Sequence, residues 1–237
     1  SVPTIDMEKQ RVNFTFFADK GKKIYVRRIN ILGNEKTKDQ VIRRELRQFE
    51  SSWFAQDKVD RSKTRLTRTQ FFDTVDIETP TVPGVSDQID LNIKAIERNT
   101  GRIQVGAGVS SSEGVVGTLT VSQDNFLGTG NRIATEISTG DINKTYSLSF
   151  TDPYWTEDGV SRGFTAYQRE VNTKDLGTGT YDTSSLGFGM NFGIPLSEYD
   201  TLRFGATIDL TELDLGPDAP LGYQQYCDSL GAAGSQT

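Results

Sequence analysis

Histidine is missing from all 237 residues, cysteine occurs once and no apolar run exceeds a few residues. Without histidine there is no histidine-based triad, no imidazole metal ligand and no side chain that ordinarily titrates near neutrality. No catalytic residue, cofactor or metal site is assigned, and an enzyme is not expected. Cys227 has no internal partner and says little about redox compartment. A membrane helix needs about 20 apolar residues, so any membrane contact has to be made by strands. Apolar residues make up only 35% of the chain, which is low for one large buried core.

Charge divides the chain. Residues 1–100 carry 19 Lys and Arg against 15 Asp and Glu, net +4, whereas residues 101–237 carry 7 against 17, net −10. In the first half the bases are too interleaved with acids to form a nucleic-acid stripe, so no nucleic acid is expected as a partner.

The first half reads as a small α+β module. VNFTF (12–16) alternates and meets a turn, as the trailing strand of a preceding module would. In KIYVRRINILGN, Ile24 and Val26 share one parity and Ile29 and Ile31 the other, which places a bulge near Arg27 and Arg28. Ile42, Leu46, Phe49 and Trp53 recur at i, i+4, i+7 and i+11, the spacing of an amphipathic helix, with Thr37 as N-cap. Its opposite face carries Arg43, Arg47 and Glu50, either a solvated surface or a docking site. A second helix over DKVDRSKTRLTRTQ turns Val59, Ser62 and Leu66 inward, and two strands follow, VDIET and DQIDLNIKAIE. The order is β-α-α-β-β.

From Gly101 the period changes to two. Seven segments, at about 102–111, 115–123, 131–139, 144–152, 161–170, 184–194 and 200–211, set every second residue apolar. A soluble sandwich alternates as well. Charged residues inside strands, such as Arg132, Glu136, Arg203 and Asp209, favour a membrane barrel with a wet inner wall. Tyr154, Trp155 and Tyr199 near strand ends suit an interfacial girdle. QDNFLGTGN (123–131) holds a Gly-x-Gly pair, but the residues after it alternate like a strand and include no lysine, so a phosphate loop is the weaker reading. Asn125, Phe126, Leu127, Gly128 and Gly130 are expected to form a tight reversal on the side of the N-terminal module, with Phe126 and Leu127 toward the lipid boundary.

Taken in order, RRINILGNEKTKDQVIRRELRQFESSW, VDRSK, FFDTVDIET, VPGVSDQIDLNIKAIERNTG, QDNFLGTGN and TDPYWTEDGVS closely resemble the last POTRA domain and first barrel strands of the BamA family of outer-membrane protein assembly factors. The resemblance covers nearly the whole chain. It implies a trailing strand of a preceding POTRA domain at 1–21, a barrel-proximal POTRA domain at 22–99 in the periplasm, and at 100–237 the N-terminal part of a sixteen-stranded outer-membrane β-barrel, truncated in an extracellular loop. Partners implied are unfolded outer-membrane clients, accessory lipoproteins and outer-membrane lipid, with no ATP. Ile103, Gln104, Val105, Gly106, Ala107, Gly108 and Val109 are then expected to form a lateral gate and template strand, weakly paired because of its glycines; relief of crowding is the other reading of those glycines. Arg43, Arg47 and Glu50 match the face that docks an accessory lipoprotein. A two-partner secretion transporter is the alternative function, and a passive porin would not need the β-α-α-β-β module.

Overall fold

The computed structural model describes residues 2–6, 11–16, 21–111, 113–173 and 181–229. Strands β1 (Val2–Asp6) and β2 (Arg11–Thr15) pair antiparallel, Val2 opposite Thr15. The expected trailing strand therefore has a partner that the sequence reading left out.

The next unit runs β3 (Tyr25–Leu32), α1 (Asp39–Arg43), α2 (Gln56–Arg68), β4 (Phe72–Glu78) and β5 (Gln88–Glu97). Its sheet order is β3-β5-β4, with β3 parallel and β4 antiparallel to β5. The expected bulge lies between Val26 and Arg28. The helices cover one face, where Val26, Ile42, Leu66, Leu91 and Ile93 are almost fully buried. Val59, Ser62 and Leu66 point inward from α2 as its spacing requires.

The first helix is shorter than its spacing predicts, and its N-cap is Lys38 rather than Thr37, with no side-chain cap bond. It stops after Arg43 because side chains from elsewhere capture the backbone. The Ser62 hydroxyl accepts from Arg47 N at 2.8 Å. Buried Gln48 then holds the loop, donating to Ser52 Oγ and the Trp53 carbonyl and accepting from Ala55 N. Phe49 and Trp53, expected on the buried face, are 58% and 54% exposed.

Seven strands follow: β6 (Gly101–Ser110), β7 (Gly114–Phe126), β8 (Asn131–Thr139), β9 (Asn143–Asp152), β10 (Ser161–Asn172), β11 (Tyr181–Pro195) and β12 (Thr201–Leu215). Each pairs antiparallel with its sequence neighbour in one sheet. A short helix α3 (Leu221–Ser229) comes after them. Of the long polar connection between β10 and β11, residues 174–180 lie outside the described residues. No helix among the described residues is long and apolar enough to cross a membrane.

The registers sort the side chains. One row across the sheet reads Ile103, Val121, Thr135, Leu148, Ala166, Phe188 and Ile208. A row on the opposite face reads Gln104, Thr120, Glu136, Ser147, Tyr167, Gly187 and Asp209. On that polar face Tyr167 donates to the Asp209 carboxylate. The bond passes over Gly187, where a Cβ would sit 2.2 Å from Tyr167 Cζ. The apolar face has no second sheet against it among the described residues, and Val105 and Ile208 are 78% and 70% exposed. A soluble sandwich would bury this face, so the arrangement is that of a lipid-facing wall.

Leu91 is wholly buried between the helices and the three-stranded sheet. Leu91→Ala is expected to cost that unit about 3 kcal/mol through lost transfer energy and the cavity left behind; chemical denaturation of the purified protein followed by Trp53 fluorescence measures it.

Candidate functional site

Three residues separate the end of β5 from the start of β6. Its start is pinned: the Thr100 hydroxyl donates to the Asp124 carbonyl, Gln123 Nε2 donates to Thr100 Oγ1 at 2.7 Å, and Arg98 N donates to the Phe71 carbonyl at 3.0 Å. Beyond that anchor, among the described residues, β6 pairs only with β7, and it forms one edge of the seven-stranded sheet. Ile103, Val105, Ala107 and Val109 share the apolar face, and Gln104, Gly106 and Gly108 the polar one. A Cβ at Gly106 would lie 2.5 Å from Thr118 Oγ1, whereas at Gly108 it would meet nothing within 4 Å. Crowding thus accounts for the first glycine and not for the second.

Residues 125–130 reverse the chain between β7 and β8. Asn125, Leu127, Gly128 and Gly130 all have positive φ, and the Asn125 side chain accepts from Gly130 N at 2.8 Å. Leu127 is 77% exposed and Phe126 less so. The turn is also a contact with the N-terminal unit. Lys38 N donates to the Gly128 carbonyl at 2.9 Å, and Asn125 Nδ2 donates to Thr37 Oγ1 at 2.7 Å. Thr37 therefore bonds to the turn instead of capping α1. A Cβ on Gly128, at φ +70°, would sit 1.9 Å from the Lys36 carbonyl oxygen, so only glycine fits.

The other two turns on this side dock as well. Arg65 on α2 donates to Glu198 Oε1 at 2.7 Å and to the Tyr154 hydroxyl at 2.8 Å, and it lies 2.8 Å from Glu45 Oε2. Arg47 meets Glu198 Oε2 at 3.2 Å, and the Arg44 guanidinium stacks 4.3 Å from the Tyr154 ring centroid. The hydrogen bond from Arg65 holds the Glu198 carboxyl below the usual carboxylate range, against the cost of its partial burial. Burial, reinforced by the Glu45 charge, pushes the Tyr154 hydroxyl up. Tyr154 is thus part of the contact with the N-terminal unit rather than of a lipid girdle; Trp155 and Tyr199 remain 49% and 84% exposed. The sequence reading found neither Arg65 nor Glu198, which lie 133 positions apart, and no local spacing could have joined them.

Arg43, Arg47 and Glu50 do not form one patch. Arg47 turns to the barrel-side turn, while Arg43 and Glu50 pair at 3.5 Å beside the outer edge of β3. There Glu50 Oε1 accepts from Ile29 N at 2.8 Å, and Arg43 Nη2 donates to the Ile29 carbonyl at 3.2 Å. Gly159, Ser161 and Gly163 spell a Gly-x-Ser-x-Gly pattern, which the sequence reading took to be absent. The chain enters a strand at Ser161 instead of a helix, and the hydroxyl bonds to the Gly193 carbonyl, so it is no nucleophile elbow.

Comparison with known proteins agrees with this geometry. Residues 24–98 match the POTRA model, a surface antigen variable number repeat, and residues 125–230 match the Omp85 superfamily domain. Over 97% of its length the chain is 37% identical to the outer membrane protein assembly factor BamA of Neisseria meningitidis serogroup B, of which it spans 29%. The crystal structure of BamA from Haemophilus ducreyi lacking POTRA domains 1–3 superposes with a TM-score of 0.79 at 33% identity, covering 97% of this chain and 43% of that one. CdiB from Acinetobacter baumannii, at 14% identity and a TM-score of 0.57 over 84% of this chain and 40% of that one, shares the fold alone. The chain belongs to the BamA family, in which it carries a POTRA module joined directly to antiparallel strands of the Omp85 domain.

Proposed function

We propose that this chain is the part of an outer-membrane assembly factor that receives unfolded β-barrel clients, with its POTRA module in the periplasm and its sheet in the outer membrane. One observation carries the reading: β6, the strand tethered to the POTRA module, stands at an edge of a sheet whose apolar face is exposed, and among the described residues only β7 lies beside it. In hydrocarbon each unsatisfied main-chain group costs several kcal/mol, so such an edge has a strong affinity for another strand. A client strand adds to residues 103–109 by main-chain pairing, with no nucleotide and no covalent step.

The three turns give β6 a fixed platform. Thr37 and Lys38 on the first turn, and Arg44, Arg47 and Arg65 on the other two, orient the POTRA module against the strand ends. Clients held by the module are thereby delivered beside the edge. Arg43 and Glu50 face away from these turns and serve as the docking point for an accessory lipoprotein. A two-partner secretion pore would use the same fold to export a soluble client; accelerated insertion of an unfolded barrel protein into proteoliposomes containing the intact protein separates the two.

Single cysteines along residues 103–109, in a Cys227→Ser background, are expected to form disulfides with a cysteine in the terminal strand of a stalled client. Efficiency should alternate along β6, and a flat zero at all positions would remove the gate. Charge reversal at Glu50 should reduce lipoprotein copurification several-fold while the circular dichroism of the protein is kept. Glu198 has a lowered pKa, so its contribution to POTRA docking is complete above the ordinary glutamate value of about 4.3 and is lost as pH falls through the lower value it has when docked. Glu198→Gln should favour the undocked orientation by about 1 kcal/mol, or roughly five-fold, at neutral pH, and should flatten the acid dependence of a spin-label distance between the POTRA module and the sheet.

A further inference from the structure

The outer edge of β3 is covered in two different ways. At its beginning the loop after α1 lies alongside as main chain: Phe54 N donates to the Ile24 carbonyl, Val26 N donates to the Ser52 carbonyl and Ser51 N donates to the Val26 carbonyl, at 2.8 to 3.0 Å. At Ile29 the cover changes to side chains. The Glu50 carboxylate takes the place of a neighbouring strand's carbonyl, and the Arg43 guanidinium takes the place of its N–H. Both Ile29 groups are thus satisfied by an ion pair that imitates a paired residue. Alternation puts the main-chain groups of Ile31 on the same outer edge, and a groove bordered by Ile29, Ile31, Leu32, Arg43 and Glu50 continues along it.

The two kinds of cover differ in how easily they leave. The main-chain segment is tied down by buried Gln48. Arg43 and Glu50 are each 44% exposed and 3.5 Å apart, so solvent screens their attraction and either side chain can exchange its partner. An exposed edge invites pairing with other chains, and charged side chains are the usual means of blunting it.

We infer that the Arg43–Glu50 pair is a removable plug on the β3 edge: a cation from a docked accessory partner draws Glu50 away, and the freed Ile29 groups then pair with an extended segment of a client. This rests on the reading of Arg43 and Glu50 as docking residues, and it adds that docking and client capture are coupled through one carboxylate. The incoming strand's carbonyl replaces Glu50 on Ile29 N, and its N–H replaces Arg43 on the Ile29 carbonyl. The register is set by the main-chain groups of Ile29 and Ile31, whose side chains pack into and against the core, and the exposed Leu32 side chain borders the path.

The test uses the intact protein in detergent with a photo-crosslinking residue at Leu32, which is 51% exposed. The probe is a synthetic peptide copying residues 201–215, a membrane strand of this chain, and only adducts at residue 32 are scored, so capture at β6 does not interfere. Glu50→Ala should raise the apparent affinity about ten-fold, the worth of one charge-assisted hydrogen bond no longer in competition. Glu50→Gln, which keeps the shape and the acceptor but not the charge, should give a smaller gain, and it keeps the test open if the alanine variant fails to fold. A peptide methylated on alternate backbone nitrogens should lose the gain. In the native complex with its lipoproteins the wild-type adduct should rise toward the Glu50→Ala level. Equal affinity in the wild type and both variants would overturn the plug while leaving lipoprotein copurification, measured separately, to judge the docking reading. A plug confirmed in the variants but no rise in the complex would overturn the coupling.

Discussion

The register of the seven-strand ladder is the constraint on which the rest of the molecule depends. Side chains alternate across a sheet with a period of two, so a one-residue slip would move a strand's whole set to the other face, turning Ile137 or Ile208 inward and Glu136 or Asp209 outward. In lipid the error is severe, since a carboxylate on the outer wall has neither water nor a partner. The polar face helps fix the alignment. The Tyr167 to Asp209 bond spans two strand pairings and needs a residue without a side chain between them, which Gly187 provides. Arg102 and Arg132 both approach Asp124 on that face and tie the β6, β7 and β8 ends together.

Once the strands are in register their turns fall at fixed points, and the POTRA module is fitted to those points. The fit combines an uncharged and a charged contact. At the first turn the partners are main chain and amide, and Gly128 lets the Lys36 carbonyl approach more closely than any side chain would allow. At the other two, three arginines converge on Tyr154 and Glu198, with Glu45 balancing Arg65 from beneath. Such a contact is strong in sum but is built from partly solvated pairs, each worth little alone. Those contacts lie between side chains and turns on the surfaces of the two units, outside the core of the POTRA module.

How much of this was legible follows from the range of each interaction. The seven strands were readable because a period of two is a local signal that turns interrupt, and the β3 bulge was readable from the change of parity between Val26 and Ile29. The first helix was read too long. Ile42, Leu46, Phe49 and Trp53 keep helical spacing, but the residues that end the helix, Ser62 and Gln48, act through bonds that spacing does not encode. The candidate docking residues were identified by a face that exists only if that helix continues; with the chain leaving it after Arg43, Arg47 goes to Glu198 and the other two go to Ile29. Arg65 with Tyr154 is a contact between residues 89 positions apart, visible only after both units are folded.

Two of the sheet edges, those of β3 and β6, are treated oppositely, and their surroundings explain why. The β3 edge stands in water, where an unpaired main-chain group is hydrated at modest cost but is open to any passing extended chain, so covering it with an ion pair brings selectivity. The β6 edge is proposed to open to hydrocarbon, where a charged side chain laid along it would cost more than the groups it covered. That edge carries only Ile103, Val105, Ala107 and Val109 on its lipid face and two glycines within its polar one. A plug made of arginine and glutamate is available to the first edge and unavailable to the second. On this proposal, strand addition at β6 is limited by the strand that pairs with it, whereas at β3 the ion pair at Ile29 limits it.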